Sequence, residues 1–312
     1  APLKWMEALS YYYSGQLGKA ESLLKPMIDK YAEAGFYLGE ISYSKDLFAQ
    51  AINYYEKALS LSGNNPNYIS IQYGSLSGIA WSYFRTEKYM QSKKTFQDLK
   101  DILPMEHNLN VEVLIKIADC NYNLRKYQDA LTSYLKIIDR GFGNKSNLET
   151  IYLNIAKIFN KMKKYSDSIR YYELYEGIVD DPVKIYRSRQ KMAENYAKLE
   201  NYVKAAELLA DLLKRYEVTV EDIYINLADY YFNAKDYQKA VETYRLYLLT
   251  FEKGNKELDA RYGLVQSLFQ QEKYDEAVFE AEDADKIFNA DLSVEIKERI
   301  KFIKEKKGQQ TE

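Results

Sequence analysis

Side chains that commonly do chemistry are scarce in this chain of 312 residues, which holds one histidine, His107, and one cysteine, Cys120. A Ser–His–Asp or Cys–His arrangement would have to run through His107. That residue follows Pro104 in a turn-like stretch and reads as part of a surface loop. One His and one Cys cannot assemble a metal cluster of those residues. A single Cys closes no internal disulfide, so the redox compartment stays open. Cys120 falls inside a helical pattern and reads as half-buried and inert. Carboxylates adjoin at Asp180-Asp181 and at Glu282-Asp283-Asp285, in a charged turn and on a helix surface where acids are ordinarily solvated. Gly141-Phe142-Gly143-Asn144-Lys145-Ser146 looks superficially like a phosphate loop. It lacks the Gly before Lys and the preceding strand, so it reads as a turn. The expectation is a non-catalytic chain with no cofactor and no metal.

The 44 Lys and Arg nearly balance the 46 Asp and Glu. That balance removes the electrostatic case for nucleic acid or membrane binding. No apolar run approaches the roughly 18 residues of a membrane span, and direct insertion is not expected. No signal peptide is visible. The chain opens without Met, almost inside a helical pattern, and reads as a processed chain or a fragment. Only 13 Gly and 5 Pro interrupt it, which suits long helices joined by short turns.

The 32 Tyr are the informative excess, because they are placed in register. A bulky slot holds Leu17, Phe48, Tyr89, Tyr127, Tyr165, Tyr202, Tyr237 and Tyr274, about 37 residues apart on average. Three residues later comes a small slot: Ala20, Ala51, Ser92, Ala130, Ser168, Ala205, Ala240 and Ala277. Four further on is a large slot: Leu24, Tyr55, Phe96, Tyr134, Tyr172, Leu209 and Tyr244, with Ala281 in the last copy. Nine residues before the bulky slot lies a second small slot: Ala8, Gly39, Ala80, Ala118, Ala156, Ala193 and Ala228, with Val265 in the last copy. Spacings of three and four keep a stripe on one helical face. Small residues on facing helices let the backbones approach, and bulky neighbours fill the groove above and below. No pair buries its stripe alone, so neighbouring pairs must stack.

This pattern resembles the tetratricopeptide repeat, small–aromatic–small–aromatic over two antiparallel helices. The match is closest over Asn226 to Tyr247, NLADYYFNAKDYQKAVETYRLY, and over Lys116 to Tyr134. The resemblance implies an all-α, right-handed α-α superhelical solenoid. The repeats fall at about 1–31, 32–68, 73–107, 111–145, 149–182, 186–219, 221–255 and 258–290, a tandem array over 1–290. They are longer than the family's usual ~34 residues. A capping helix follows at 291–307, with Ser293 as N-cap and Ile296, Ile300 and Ile303 as a narrow apolar stripe, and 308–312 reads as a disordered tail. No polar cap precedes repeat one, which again suggests a longer natural chain.

In such repeats the first helix of each pair lines a concave face that holds protein or peptide partners. The resemblance points Trp5, Tyr12, Tyr13, Phe36, Tyr37, Tyr43, Trp81 and Phe84 inward in repeats one to three. In repeats five and six it points Asn154, Lys157, Asn160, Lys161, Arg187, Lys191 and Lys198 inward, with Glu194 as the acidic exception. In repeat seven it points Asp222, Asn226, Asp229, Phe232 and Asn233 inward. The partner-binding candidates are Trp81, Phe84, Asn154, Lys157, Lys161, Arg187, Lys191, Lys198 and Asn226. The aromatic stretch suits a hydrophobic dock; its bland reading is core. The basic stretch suits an acidic or amphipathic segment; its bland reading is a solvated helix face. Asn154, Arg187 and Lys191 fall at three of the five slots of the family's carboxylate clamp, with Ile115 and Asp119 at the other two, so a complete clamp is not expected.

The functional expectation is a protein-interaction scaffold. Its alternatives are a structural subunit of an envelope, motility or secretion assembly, in which the chain oligomerises, and a regulatory region of a larger enzyme-containing chain. RNA reading is disfavoured by the net charge of −2. The Lys-, Asn- and Tyr-rich composition resembles bacterial envelope-associated members of the family.

Overall fold

A computed structural model describes residues 2–104, 107, 109–141, 144–216, 220–288 and 294–310. Among these residues every regular element is helical, and 17 α-helices follow one another. They pair as α1 (Pro2–Tyr13) with α2 (Leu17–Leu24), α3 (Ala32–Ser44) with α4 (Phe48–Ser62), α5 (Ile69–Arg85) with α6 (Tyr89–Ile102), and α7 (Leu109–Asn123) with α8 (Tyr127–Asp139). Then come α9 (Lys145–Lys161) and α10 (Tyr165–Glu176), α11 (Pro182–Lys198) and α12 (Tyr202–Tyr216), α13 (Glu221–Asn233) and α14 (Tyr237–Thr250), and α15 (Glu257–Gln270) and α16 (Tyr274–Phe288). A last helix, α17, spans Val294–Gln310. It runs three residues past the expected end of the cap, so Gly308 does not stop it. Ser293 and the side chain of Ile296 lie outside the described residues.

The chain divides into two compact units, residues 1–162 and 163–312. The division falls inside repeat five, between α9 and α10. Within each unit helices pack in chain order, and first helices of successive repeats also touch: α3 with α5, α7 with α9, and α13 with α15. Among the described residues, second helices of successive repeats show no comparable approach. At these three steps the first helices form the tighter, inner layer.

The registered slots are the core. Ala20, Ala51, Ser92, Ala130, Ser168, Ala205, Ala240 and Ala277 are fully buried, as are Ala8, Ala80, Ala118, Ala156, Ala193 and Ala228. Such contacts are too close for larger residues. A Cβ on Gly39 would stand 2.5 Å from the Tyr55 ring, and one on Gly263 would stand 2.2 Å from that of Tyr244. In the last copy Ala281 is buried too, where Ile303 and Ile300 of α17 join the same core.

Each hairpin turns the same way. The residue two before the bulky slot has a left-handed backbone in every copy: Gly15, Asp46, Glu87, Arg125, Lys163, Glu200, Lys235 and Glu272. The next amide then bonds five residues back, Lys126 N to the Asn121 carbonyl (2.9 Å) and Asp236 N to that of Tyr231 (2.9 Å). That is the C-terminal lock expected of a left-handed cap. Seven of these residues are not Gly, so the fold carries a cost of about 1 kcal/mol at each. Ring pairs span many of the turns, as in Tyr122–Tyr127 (5.7 Å) and Phe232–Tyr237 (5.5 Å).

The residues set aside as non-catalytic have structural roles. Asp181 caps α11 by accepting from Val183 N (2.9 Å), and Asn144 caps α9 by accepting from Asn147 N (3.0 Å). Asp283 pairs with Arg261 (2.8 Å) and Glu282 with Lys304 (3.3 Å). One expectation needs correction. Cys120 is wholly buried rather than half-buried, with its thiol on Ser92 Oγ at 3.4 Å. His107 lies outside the helices, between α6 and α7, and is partly buried: its ring meets Tyr73 at 5.2 Å, and Nδ1 accepts from Leu109 N at 3.2 Å.

Candidate functional site

Two positions on the first helices decide the character of the inner layer. One directly follows the upstream small slot: Glu40, Trp81, Asp119, Lys157, Glu194, Asp229 and Gln266 from repeats two to eight. The other lies two residues before that slot: Tyr37, Gly78, Lys116, Asn154, Lys191, Asn226 and Gly263. One helical turn separates the two, so both face the same way.

In unit 1 these positions build a connected cluster. The Tyr134 hydroxyl donates to Asp119 Oδ1. Asn154 Nδ2 donates to the same carboxylate oxygen (3.0 Å) and to the Tyr134 oxygen (3.0 Å). Lys116 Nζ holds Asp119 Oδ2 at 2.8 Å and lies 4.9 Å from the Trp81 ring and 5.7 Å from that of Phe84. Burial, then Asp119, raise the Tyr134 pKa and keep its proton in place. Asn154 is therefore committed to its neighbours rather than free for a partner. Trp81 and Phe84 are half-buried and stacked edge-on at 5.7 Å. Lys161 is exposed and has no partner. Lys157 keeps an exposed side chain, but enough protein surrounds its ammonium for desolvation to lower its pKa, against the pull of Asp119.

Towards its N-terminus the same unit gathers rings. Tyr37 meets Trp5 (5.9 Å), Tyr12 (4.9 Å) and Phe36 (5.3 Å), and its hydroxyl lies 3.1 Å from that of Tyr13. Trp5, Tyr12 and Tyr37 pack against the core around Leu38, which supports the bland reading for them, while Tyr13 stays exposed.

Unit 2 is more polar. Arg187, in the second turn of α11, and Lys198, its last residue, are exposed and make no ion pair or hydrogen bond. Lys191, between them, is held by Glu194 at 2.8 Å. On α13, Asn226 is half-buried with an unbonded amide, and Asp222 is exposed and unpaired. Asp229 accepts the Tyr244 hydroxyl, and burial is the main cause that raises its pKa. Tyr230 is pushed up to about 12 by burial, then by Glu194 and Asp229.

Sequence reasoning missed the tyrosine–carboxylate pairs. Their signal was present: an acid fifteen residues before a large-slot Tyr in three copies, Glu40–Tyr55, Asp119–Tyr134 and Asp229–Tyr244. It also passed over Lys116, whose three-residue spacing from Asp119 puts the two on one face. Among the described residues no group of three or more His, Cys, Asp and Glu is placed to hold a metal ion. No described helix is long and apolar enough to cross a membrane.

No curated protein sequence matches this chain. Among solved structures, the C-terminal part of a TPR repeat-containing protein from Cytophaga hutchinsonii is similar at TM-score 0.65 and 14% identity, over 84% of this chain and 98% of that one. A tetratricopeptide repeat protein from Parabacteroides merdae is similar at TM-score 0.52 and 15% identity, over 87% and 98%. PilF of Pseudomonas aeruginosa gives 0.50 and 16%, over 75% and 96%. At these identities the likeness speaks for the fold alone. Family models described as tetratricopeptide repeat match residues 6–67, 112–140 and 191–256, together half of the chain. With eight registered helix hairpins among the described residues, five of them under those matches, the chain belongs to the tetratricopeptide repeat family, whose members are in general non-catalytic interaction modules.

Proposed function

We propose that this protein is a scaffold that holds segments of partner proteins on its first-helix surfaces, and that α11 receives acidic ones. The observation that carries this is the pair of exposed, unpartnered cations Arg187 and Lys198 on one helix. A free cation loses no internal pairing when it meets a carboxylate, and charge-assisted bonds are the stronger kind. Lys191 is a poorer anchor than Arg187, because a ligand must compete with Glu194. In unit 1 the half-buried faces of Trp81 and Phe84, with Lys157 and Lys161, suit an amphipathic segment.

The test is a set of acidic 12-residue peptides measured by fluorescence anisotropy against the full chain. The Arg187→Glu, Lys198→Glu double variant should bind them at least tenfold more weakly with an unchanged circular dichroism melt. Equal affinity for both proteins removes α11 as the site.

A second reading, a block in a larger assembly, is favoured by apolar side chains on second helices of unit 2. Leu249 is 84% exposed and Phe279 71%. Analytical ultracentrifugation decides it: a mass that stays monomeric over a hundredfold concentration range leaves no self-assembly to explain.

A further inference from the structure

Repeat seven carries the same tyrosine–aspartate pair as repeat four without the groups that complete it. In repeat four the carboxylate of Asp119 is filled from three sides, by the Tyr134 hydroxyl, by Asn154 of the next repeat, and by Lys116 at 2.8 Å on Oδ2. In repeat seven the Tyr244 hydroxyl occupies Asp229 Oδ1, and Oδ2 takes no partner in the chain. The position of Lys116 is held by Asn226, whose amide is unbonded. The position of Asn154 is held by Gly263, which carries no side chain to reach back. Burial raises the Asp229 carboxyl and Asp259 adds to it, while the Tyr244 hydrogen bond and Lys256 pull it down.

We infer that Asp229 and Asn226 form a recognition point for a cationic side chain, the ammonium of Lys or the guanidinium of Arg, on a partner segment lying against α13. The inference rests on the scaffold reading above. The protein itself shows which ligand completes the pair, since Lys116 places an ammonium on the equivalent carboxylate. The unbonded Asn226 amide adds a second contact one helical turn away, suited to the segment's backbone. Exposed Asp222, on the same helix face, strengthens the local field for a cation. With Arg187 and Lys198 on α11, the first helix of the preceding repeat, the preferred segment carries an acidic residue as well as the basic one.

The experiment is an array of 12-residue peptides bearing Lys or Arg at varied positions, probed with the full chain. Lysine-bearing peptides should be retained, and the best is remade with Nε-acetyl-lysine. Acetylation should weaken binding about tenfold or more. Asp229→Asn should weaken the unmodified peptide by the same factor, and the two losses should not add. Asn226→Lys, which copies Lys116, should abolish binding while leaving the melting temperature unchanged or higher. Because acetylation alters only the peptide, it tests the site even where a variant folds poorly. Failure to retain any lysine-bearing peptide overturns the inference, as does indifference to acetylation or to Asp229→Asn. If acidic peptides still respond to Arg187→Glu and Lys198→Glu, the scaffold reading survives that failure; if they too are unaffected, both fall.

Discussion

Repeats four and seven carry the same tyrosine–aspartate pair at the same register positions, yet one is internally satisfied and the other is open. Both place a Tyr on the second helix against an Asp on the first. Around Asp119 the chain adds Lys116 and Asn154; around Asp229 it offers Asn226 and Gly263. The difference teaches that the same device serves two ends. With its partners inside the chain, the carboxylate ties one repeat to the next. With those partners absent, it is a half-buried acceptor held in place by one hydroxyl and facing the inner layer. Two substitutions at register positions are enough to move a site from structure towards recognition.

The largest effect expected of this contrast is in alanine replacement of the two acids. Asp119→Ala orphans the Lys116 ammonium and takes the shared acceptor from Asn154 and Tyr134, a loss of about 3–5 kcal/mol. Asp229→Ala orphans one hydroxyl and should cost about 1–2 kcal/mol. Urea unfolding of both variants is the measurement, and equal costs would break the comparison.

A smaller effect should appear in acid titration. The folded pKa of Asp229 is raised, chiefly by burial, so the folded state binds its proton more tightly than the unfolded one. Its contribution is therefore greatest below the unfolded value of about 4 and is lost as pH rises through the folded value. Asp229→Asn should lack this loss, so that wild-type stability relative to the variant declines across that window. A difference that is flat, or that grows with pH, contradicts the burial of this carboxylate.

The smallest effect serves as a control. Arg125 and Lys235 occupy the left-handed turn position in repeats four and seven, at φ +60° and +63°. Replacing either by Gly should relieve strain and stabilise by up to about 1 kcal/mol, equally in both repeats. Thermal melts that separate the two would show that the repeats differ in more than their carboxylate surroundings.

Much of the fold was legible because packing in this chain is periodic. Ala20 through Ala277 recur at a fixed offset from the bulky slot, and a residue that must let two helices touch has to be small wherever it stands. The candidate site was less legible. Trp81, Lys161, Arg187 and Lys198 were named from the resemblance applied through the register, and they are half-buried or exposed. Register could not separate Asn154, which is bonded, from Asn226, which is free. Those two share a slot, and their fates depend on the preceding repeat, Tyr134 in one case and Leu209 in the other.

By itself the sequence determined the helix hairpins, their number and which residues seal them, because a stripe spaced three and four apart admits only one face inward. Only the tertiary structure decided which inner-layer groups are still available. That depends on distances between repeats, where an ammonium 2.8 Å from Asp119 is an internal bond and the same register position in repeat seven leaves a carboxylate oxygen without a partner.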